Sequence, residues 1–298
     1  MIRTKISLLL FLFTILTGQL FAQDLMDMLK DETPKTNYAY ATFKTTRIVL
    51  GQSIENPAGG TLQFLVEHDF GALNSGAYNL FGLDNATTRL GLEYGINDRI
   101  SIGVGRSGYE KTFDGSVKVK ILRQCTGKKN MPLSMSFYGA AFLNSLKWAD
   151  TSHTNYFSSR MSYVAQLLIA RKFSNAFSLQ ITPTYIHKNL VPERADQNDI
   201  FSVSIGGRYK VAQRTSVNAE YFYLLPGTTA DKYVNCLSLG VDLETGGHVF
   251  QFRLTNAQPM FERAFITETT NKWSDGGIFL GFTINRVFTI VDPALPKE

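Results

Sequence analysis

The sequence predicts an all-β fold: a transmembrane, antiparallel, up-and-down β-barrel of about 12 strands behind a cleaved signal peptide. Three observations carry that expectation. Hydropathy alternates with a period of two along most of the chain. The alternating segments run about 9 to 12 residues, the span of a tilted membrane strand and longer than the usual globular strand. The connections between them alternate short and long, the rhythm of periplasmic turns and external loops. A composition of 44% apolar and only 18% charged residues excludes a disordered polar chain, and 12% aromatics with 24 Gly and 9 Pro suit many strands better than a helical bundle.

From the N-terminus, Arg3 and Lys5 precede an apolar run from Ile6 to Leu16, and Leu20-Phe21-Ala22 offers a cleavage site before Gln23. Residues 1–22 read as a signal peptide, because the apolar core is too short to span a bilayer. No Cys follows the site, which argues against a lipid anchor. Residues 23–41 form a periplasmic leader, in which Asp24 to Asp31 is either a short helix or an irregular stretch. The net charge of +5 falls by two when the signal peptide leaves, too small a balance to imply nucleic acid.

The barrel is expected over 42–290, with a C-terminal tail over 291–298. Its first segment, Thr42 to Leu50, alternates poorly, because Lys44 and Arg47 spoil both faces. The others alternate well. Leu62, Phe64 and Val66 oppose Gln63 and Glu67; Leu90 and Leu92 oppose Arg89 and Glu93; Ile102 and Val104 oppose Ser101 and Gly103. Val117 and Val119 oppose Lys118 and Lys120, and Met135 and Phe137 oppose Ser134 and Ser136. Tyr163 to Ala170 is the longest apolar run, broken by Gln166. Phe177 to Tyr185, Phe201 to Tyr209, Val217 to Tyr223, Leu237 to Leu243, Phe250 to Leu254 and Ile278 to Ile284 complete thirteen segments. Bacterial barrels favour even numbers, so either the first segment is no full strand, giving 12, or the stretch around Asn37 to Phe43 is separate, giving 14. A soluble sandwich with its apolar face inward is the competing fold.

Turns are expected at Ile96 to Asp98, Ser174-Asn175, Ala212 to Arg214 and Gly246-Gly247, with long external loops at Gly71 to Asn85, Asn144 to Ser158, Asn189 to Asp199 and Asn256 to Asp275. The alternation turns Glu67, Asp69, Arg89, Glu93, Lys118, Lys120, Arg208, Lys210, Glu220, Asp242, Glu244 and Arg253 into the lumen, six acids and six bases. An anion pore would need a basic excess. Two readings stand: salt-bridged ladders, with Arg208 and Lys210 near Glu220 and Arg253 near Asp242 and Glu244, or a path lined by these groups.

Chemistry is sparse. His68, His153, His187 and His248 lack partners at ligand spacing, so neither metal nor cofactor is signalled. Ser152 and His153 share a loop and leave a rim hydrolase as a third reading, but the chain reads as a non-enzyme. Trp148, Trp273, Tyr156 and Phe157 fall in long loops, where they pack or meet a partner. Cys125 and Cys236 fall near opposite strand ends, which argues against a bridge.

The runs Phe81-Gly82-Leu83-Asp84, LGLEYGI from Leu90, GRSGYEKTFDG from Gly105, SYVAQLLIARKFS from Ser162, LSLGVDLETGGHVFQ from Leu237 and GFTINRVF from Gly281 resemble an uncharacterised outer-membrane β-barrel family of Bacteroidota, a domain of unknown function. The resemblance spans Thr42 to Phe288 and implies a barrel without an established substrate or catalytic residue. The functional expectation is therefore passage of small solutes across the outer membrane of a Gram-negative bacterium, with outer-membrane lipid as a partner. The alternative is an occluded barrel whose external loops bind a partner.

Overall fold

The computed structural model describes residues 35–291. The expected signal peptide, most of the expected leader with the Asp24 to Asp31 segment, and the tail beyond residue 291 lie outside the described residues. A short ribbon of β1 (Thr36–Tyr38) and β6 (Cys125–Gly127), with Thr36 opposite Gly127, is a unit of its own.

The other unit is a closed barrel of twelve antiparallel strands. In chain order these are β2 (Thr61–Ala72), β3 (Ala86–Gly95), β4 (Ile100–Ser107), β5 (Phe113–Leu122), β7 (Ser134–Leu143) and β8 (Met161–Lys172). They continue as β9 (Phe177–Lys188), β10 (Asp199–Ala212), β11 (Thr215–Leu224), β12 (Cys236–Glu244), β13 (His248–Thr255) and β14 (Phe279–Thr289). Each wall strand pairs with the next wall strand, β5 with β7 among them, and β14 closes on β2 with Ile284 opposite Val66. Period-two sequences rich in β-branched and aromatic residues form these strands because each pleat sends alternate side chains to opposite faces.

The faces divide as the alternation predicts. Leu90, Val104, Ile181, Ile205 and Tyr223 point outward and are exposed, while Glu67, Ser136, Thr182, Ser204 and Thr283 point inward and are buried. Tight turns gather at one end, at 96–99, 173–176, 213–214 and 245–247, closed by bonds such as Thr245 N–H to His248 O at 2.9 Å. Longer connections gather at the other, at 73–85, 144–160, 189–198, 225–235 and 256–278; the 225–235 connection holds helix α1 (Thr228–Lys232).

Two expectations need correction. The wall opens at Thr61, not at Thr42: the poorly alternating segment is an interior hairpin. Ile48 N–H donates to Gly51 O and Ser53 N–H to Thr46 O, each at 2.9 Å, and Arg47 bridges Gln52. Its two faces are both mixed because the wall surrounds it on all sides, so neither faces lipid. Nor is Asn256 to Asp275 wholly external. Residues 257–267 are buried nearly throughout, including all of helix α2 (Glu262–Thr267).

Candidate functional site

The barrel interior is occupied by its own chain. From the turn end the hairpin brings Phe43, Ile48, Val49, Leu50 and Ile54 inward; from the loop end come Met260, Phe261, Ala264, Phe265 and Ile266. Both sets pack in one apolar cluster with inward residues of the wall, among them Tyr138, Phe142, Leu168, Ile186 and Phe222. Phe261 stacks on Phe142 at a centroid distance of 5.4 Å, and Phe265 meets Phe222 edge-on at 5.0 Å. The two inserts touch, Gln52 Nε2 donating to Glu262 Oε1 at 2.8 Å. The long apolar run in β8 is explained here: its outward residues suit lipid, and Val164, Leu168 and Ala170 on the inner side suit the cluster.

Ten of the twelve charged strand residues serve three arrangements. In the first, ion pairs reach over an intervening strand. Arg89 on β3 holds Glu67 on the adjacent β2 and Asp114 on β5, donating to Asp114 through Nε at 3.1 Å and Nη2 at 2.7 Å. Arg253 on β13 reaches Asp69 on β2 at 2.8 Å and Thr283 at 2.6 Å. In both cases the strand between presents a glycine: a Cβ on Gly105 would stand 2.4 Å from Arg89 Nη2, and one on Gly281 only 1.5 Å from Asp69 Oδ1. Arg253 therefore pairs with Asp69 and not, as the ladder reading has it, with Asp242 or Glu244.

In the second arrangement five residues hold the hairpin. Glu220 Oε2 accepts the backbone N–H groups of Leu50 at 3.1 Å and Gly51 at 2.9 Å, so it does not pair with Arg208 or Lys210. Arg208 donates to the carbonyls of Ala41 and Thr42, at 2.7 and 3.1 Å, and Lys118 to those of Ser53 and Glu55, at 3.1 and 3.0 Å. Glu93 pairs with Arg47 at 2.8 Å, and Glu244 with Lys44. Burial disfavours the charge on Arg47, but Glu93, Glu67 and Glu262 outweigh it and raise its pKa above the ordinary arginine value. In the third, Asp242 accepts from Gln251 at 2.9 Å and Ser216 at 3.1 Å. Lys120 and Lys210 are half-buried towards the turn end and make no ion pair among the described residues.

Sequence reasoning missed the residues that complete these sets: Asp114, Arg47, Gln52 and Gln180, whose Nε2 reaches Gln52 O at 2.7 Å. It also missed a chain of charges at the loop end, where Lys188 pairs with Glu268 at 2.8 Å and Arg263 with Glu268 at 2.6 Å and with Glu110. A recess of about 300 Å³ opens over this chain between Trp148, Arg160, Leu190 and Pro192. The Arg160 guanidinium covers the Trp148 ring at 3.9 Å within their shared loop, and Trp273 Nε1 donates to Leu237 O on β12 at 3.0 Å. Tyr156 and Phe157 stay exposed. Ser152 N–H and His153 Nδ1 both turn to Asp150, at 2.8 and 3.4 Å. Cys125 and Cys236 are free thiols, both buried.

The model of a family described as a membrane-bound beta barrel domain (DUF5777) matches residues 43–288. No curated protein matches the chain. Among solved structures the chain is similar to the NanC porin, with a TM-score of 0.47 and 8% identity over 77% of this chain and 100% of that one. It is similar also to the KdgM porin, with a TM-score of 0.45 and 10% identity over 76% and 98%. An active-site mutant of outer membrane phospholipase A from Escherichia coli gives a TM-score of 0.43 and 9% identity over 78% and 91%.

Proposed function

The chain belongs to the DUF5777 family of membrane-bound β-barrel domains, and on that premise we propose that it is an outer-membrane barrel, closed at rest, that acts through the surfaces it holds in the membrane and at its loop end. The observation that carries this reading is the contact of hairpin and α2 inside the wall, Gln52 to Glu262, within one apolar cluster. A lumen packed like a protein core leaves no standing path for a hydrated solute. Tyr156 and Phe157, both about two-thirds exposed in the 144–160 loop, are where a partner would bind. A bacteroidotal origin, implied by the sequence resemblance, belongs to the same reading.

The test is conductance in planar bilayers together with swelling of proteoliposomes. The expected result is a silent wild-type protein; steady conductance or solute flux would overturn the proposal. A second reading, passage of small solutes, draws support from one observation. The hairpin enters and leaves the lumen at the turn end, Thr42 being held by Arg208 and Asn56 by the carbonyl of Arg99, so it can withdraw without threading. On that reading, removing residues 42–55 together with 257–267 produces a conducting barrel. A rim hydrolase is not favoured, since Ser152 and His153 converge on Asp150 and not on each other.

A further inference from the structure

Lipid-facing side chains of this barrel are mostly apolar, yet Arg286 on β14 projects outward near the turn end and is exposed. The register sets it between His248 on β13 and Phe64 on β2. Its guanidinium lies 4.9 Å from the centroid of the Phe288 ring, and the His248 ring stacks on Phe250 at 6.0 Å. Among the described residues Arg286 has no carboxylate partner, in contrast to the inward Arg89 and Arg253. The arrangement recurs six strands away on the opposite wall: Arg171 on β8 faces outward, across from Leu179, and lies over Phe173 at 5.1 Å.

A cation on the lipid face is tolerated where its stem lies along apolar surface and its head reaches the headgroup layer, and it is most stable there beside an anion. Aromatic side chains mark that layer. With its guanidinium over the Phe288 ring and no carboxylate partner among the described residues, Arg286 offers a planar fork of N–H donors that suits two oxygens of a phosphate. His248, at the same height, adds a ring N–H donor.

We propose that Arg286 and His248 form a docking site for the phosphate of an anionic phospholipid in the leaflet at the turn end, and that Arg171 holds a second such lipid on the opposite wall. Short turns face the periplasm in outer-membrane barrels, which makes this the phospholipid-bearing inner leaflet. The site is independent of whether the lumen ever opens.

Native mass spectrometry of the mature full-length protein, released from micelles doped with phosphatidylglycerol or phosphatidylcholine, tests it. The wild type should retain two phosphatidylglycerol molecules and hold phosphatidylcholine more weakly, because the same phosphate there carries a quaternary ammonium that the arginine repels. Arg286→Gln should lose one bound phosphatidylglycerol, Arg171→Gln the other, and the double variant both. Each variant's fold is checked by its heat-dependent gel mobility. Arg286→Lys, which keeps the charge without the planar fork, should retain the lipid more weakly than wild type and serves as the folded comparison should the Gln variant misassemble. Unchanged phosphatidylglycerol retention in Arg286→Lys and the Gln variants, or equal retention of the two lipids by the wild type, would overturn the proposal.

Discussion

Glu220→Ala should loosen the hairpin from the lumen without touching the hairpin itself. The carboxylate is 2% exposed, and its Oε2 accepts two backbone donors, Leu50 N–H at 3.1 Å and Gly51 N–H at 2.9 Å. A hydrogen bond to a charged group contributes about 1.5–3 kcal/mol, so losing two costs the seated hairpin at least about 3 kcal/mol. That corresponds to roughly a 150-fold rise in the fraction of time it spends unseated. Hydrogen exchange read at the amides of Ile48 and Ser53 measures this. Both are bonded within the hairpin, to Gly51 O and Thr46 O, so the substitution does not remove their acceptors. An isolated two-stranded hairpin is marginal in water, so these amides exchange once it leaves the wall. Glu220→Gln keeps an oxygen at the same reach without its charge, and a neutral acceptor is about half as strong, so exchange should quicken by only about tenfold. An acceleration below about threefold in Glu220→Ala would refute the claim that this carboxylate holds the hairpin.

Three other perturbations have defined outcomes. Arg89→Ala leaves Glu67 and Asp114 buried without their cation and should lower stability by about 3–5 kcal/mol, read from urea unfolding in micelles. Gly281→Ala puts a methyl group 1.5 Å from Asp69 Oδ1 and should cost about 1–3 kcal/mol through overpacking, seen as a lower temperature for the heat-dependent gel shift. Phe265→Ala removes the edge contact with Phe222 and should cost about 3–5 kcal/mol by calorimetry, because a side chain with 0% exposure leaves a cavity that the wall cannot collapse to fill.

The wall was legible in the sequence because lipid on one side and an enclosed space on the other impose a strict period of two, and Leu237 to Leu243 or Phe201 to Tyr209 carry little else. The interior was less so. Lys44 and Arg47 were recognisable as misfits in a strand, and the reason is now plain: Lys44 meets Glu244 and Arg47 meets Glu93, on walls that a lipid-facing strand never sees. The loop insert did leave a signal that an external-loop reading passes over. Met260, Phe261, Ala264 and Phe265 recur at the spacing of a helix with one apolar face, which a solvent-exposed loop would not need. Charge pairing was misread for a geometric reason. Adjacent-strand proximity suggests Arg253 with Asp242, whereas a glycine in the next strand lets a long side chain cross to the strand beyond it, and no single segment's alternation records that.

The Arg253 to Asp69 pair has an architectural consequence. Asp69 stands on the first wall strand and Arg253 on the penultimate one, so their contact straddles the joint at which the start and end of the wall are sewn together. The last strand lies between them with Gly281 underneath, which makes the pair a clasp across the line where the two ends of the wall meet. Fastened there, the wall is braced along the line where its chain meets itself.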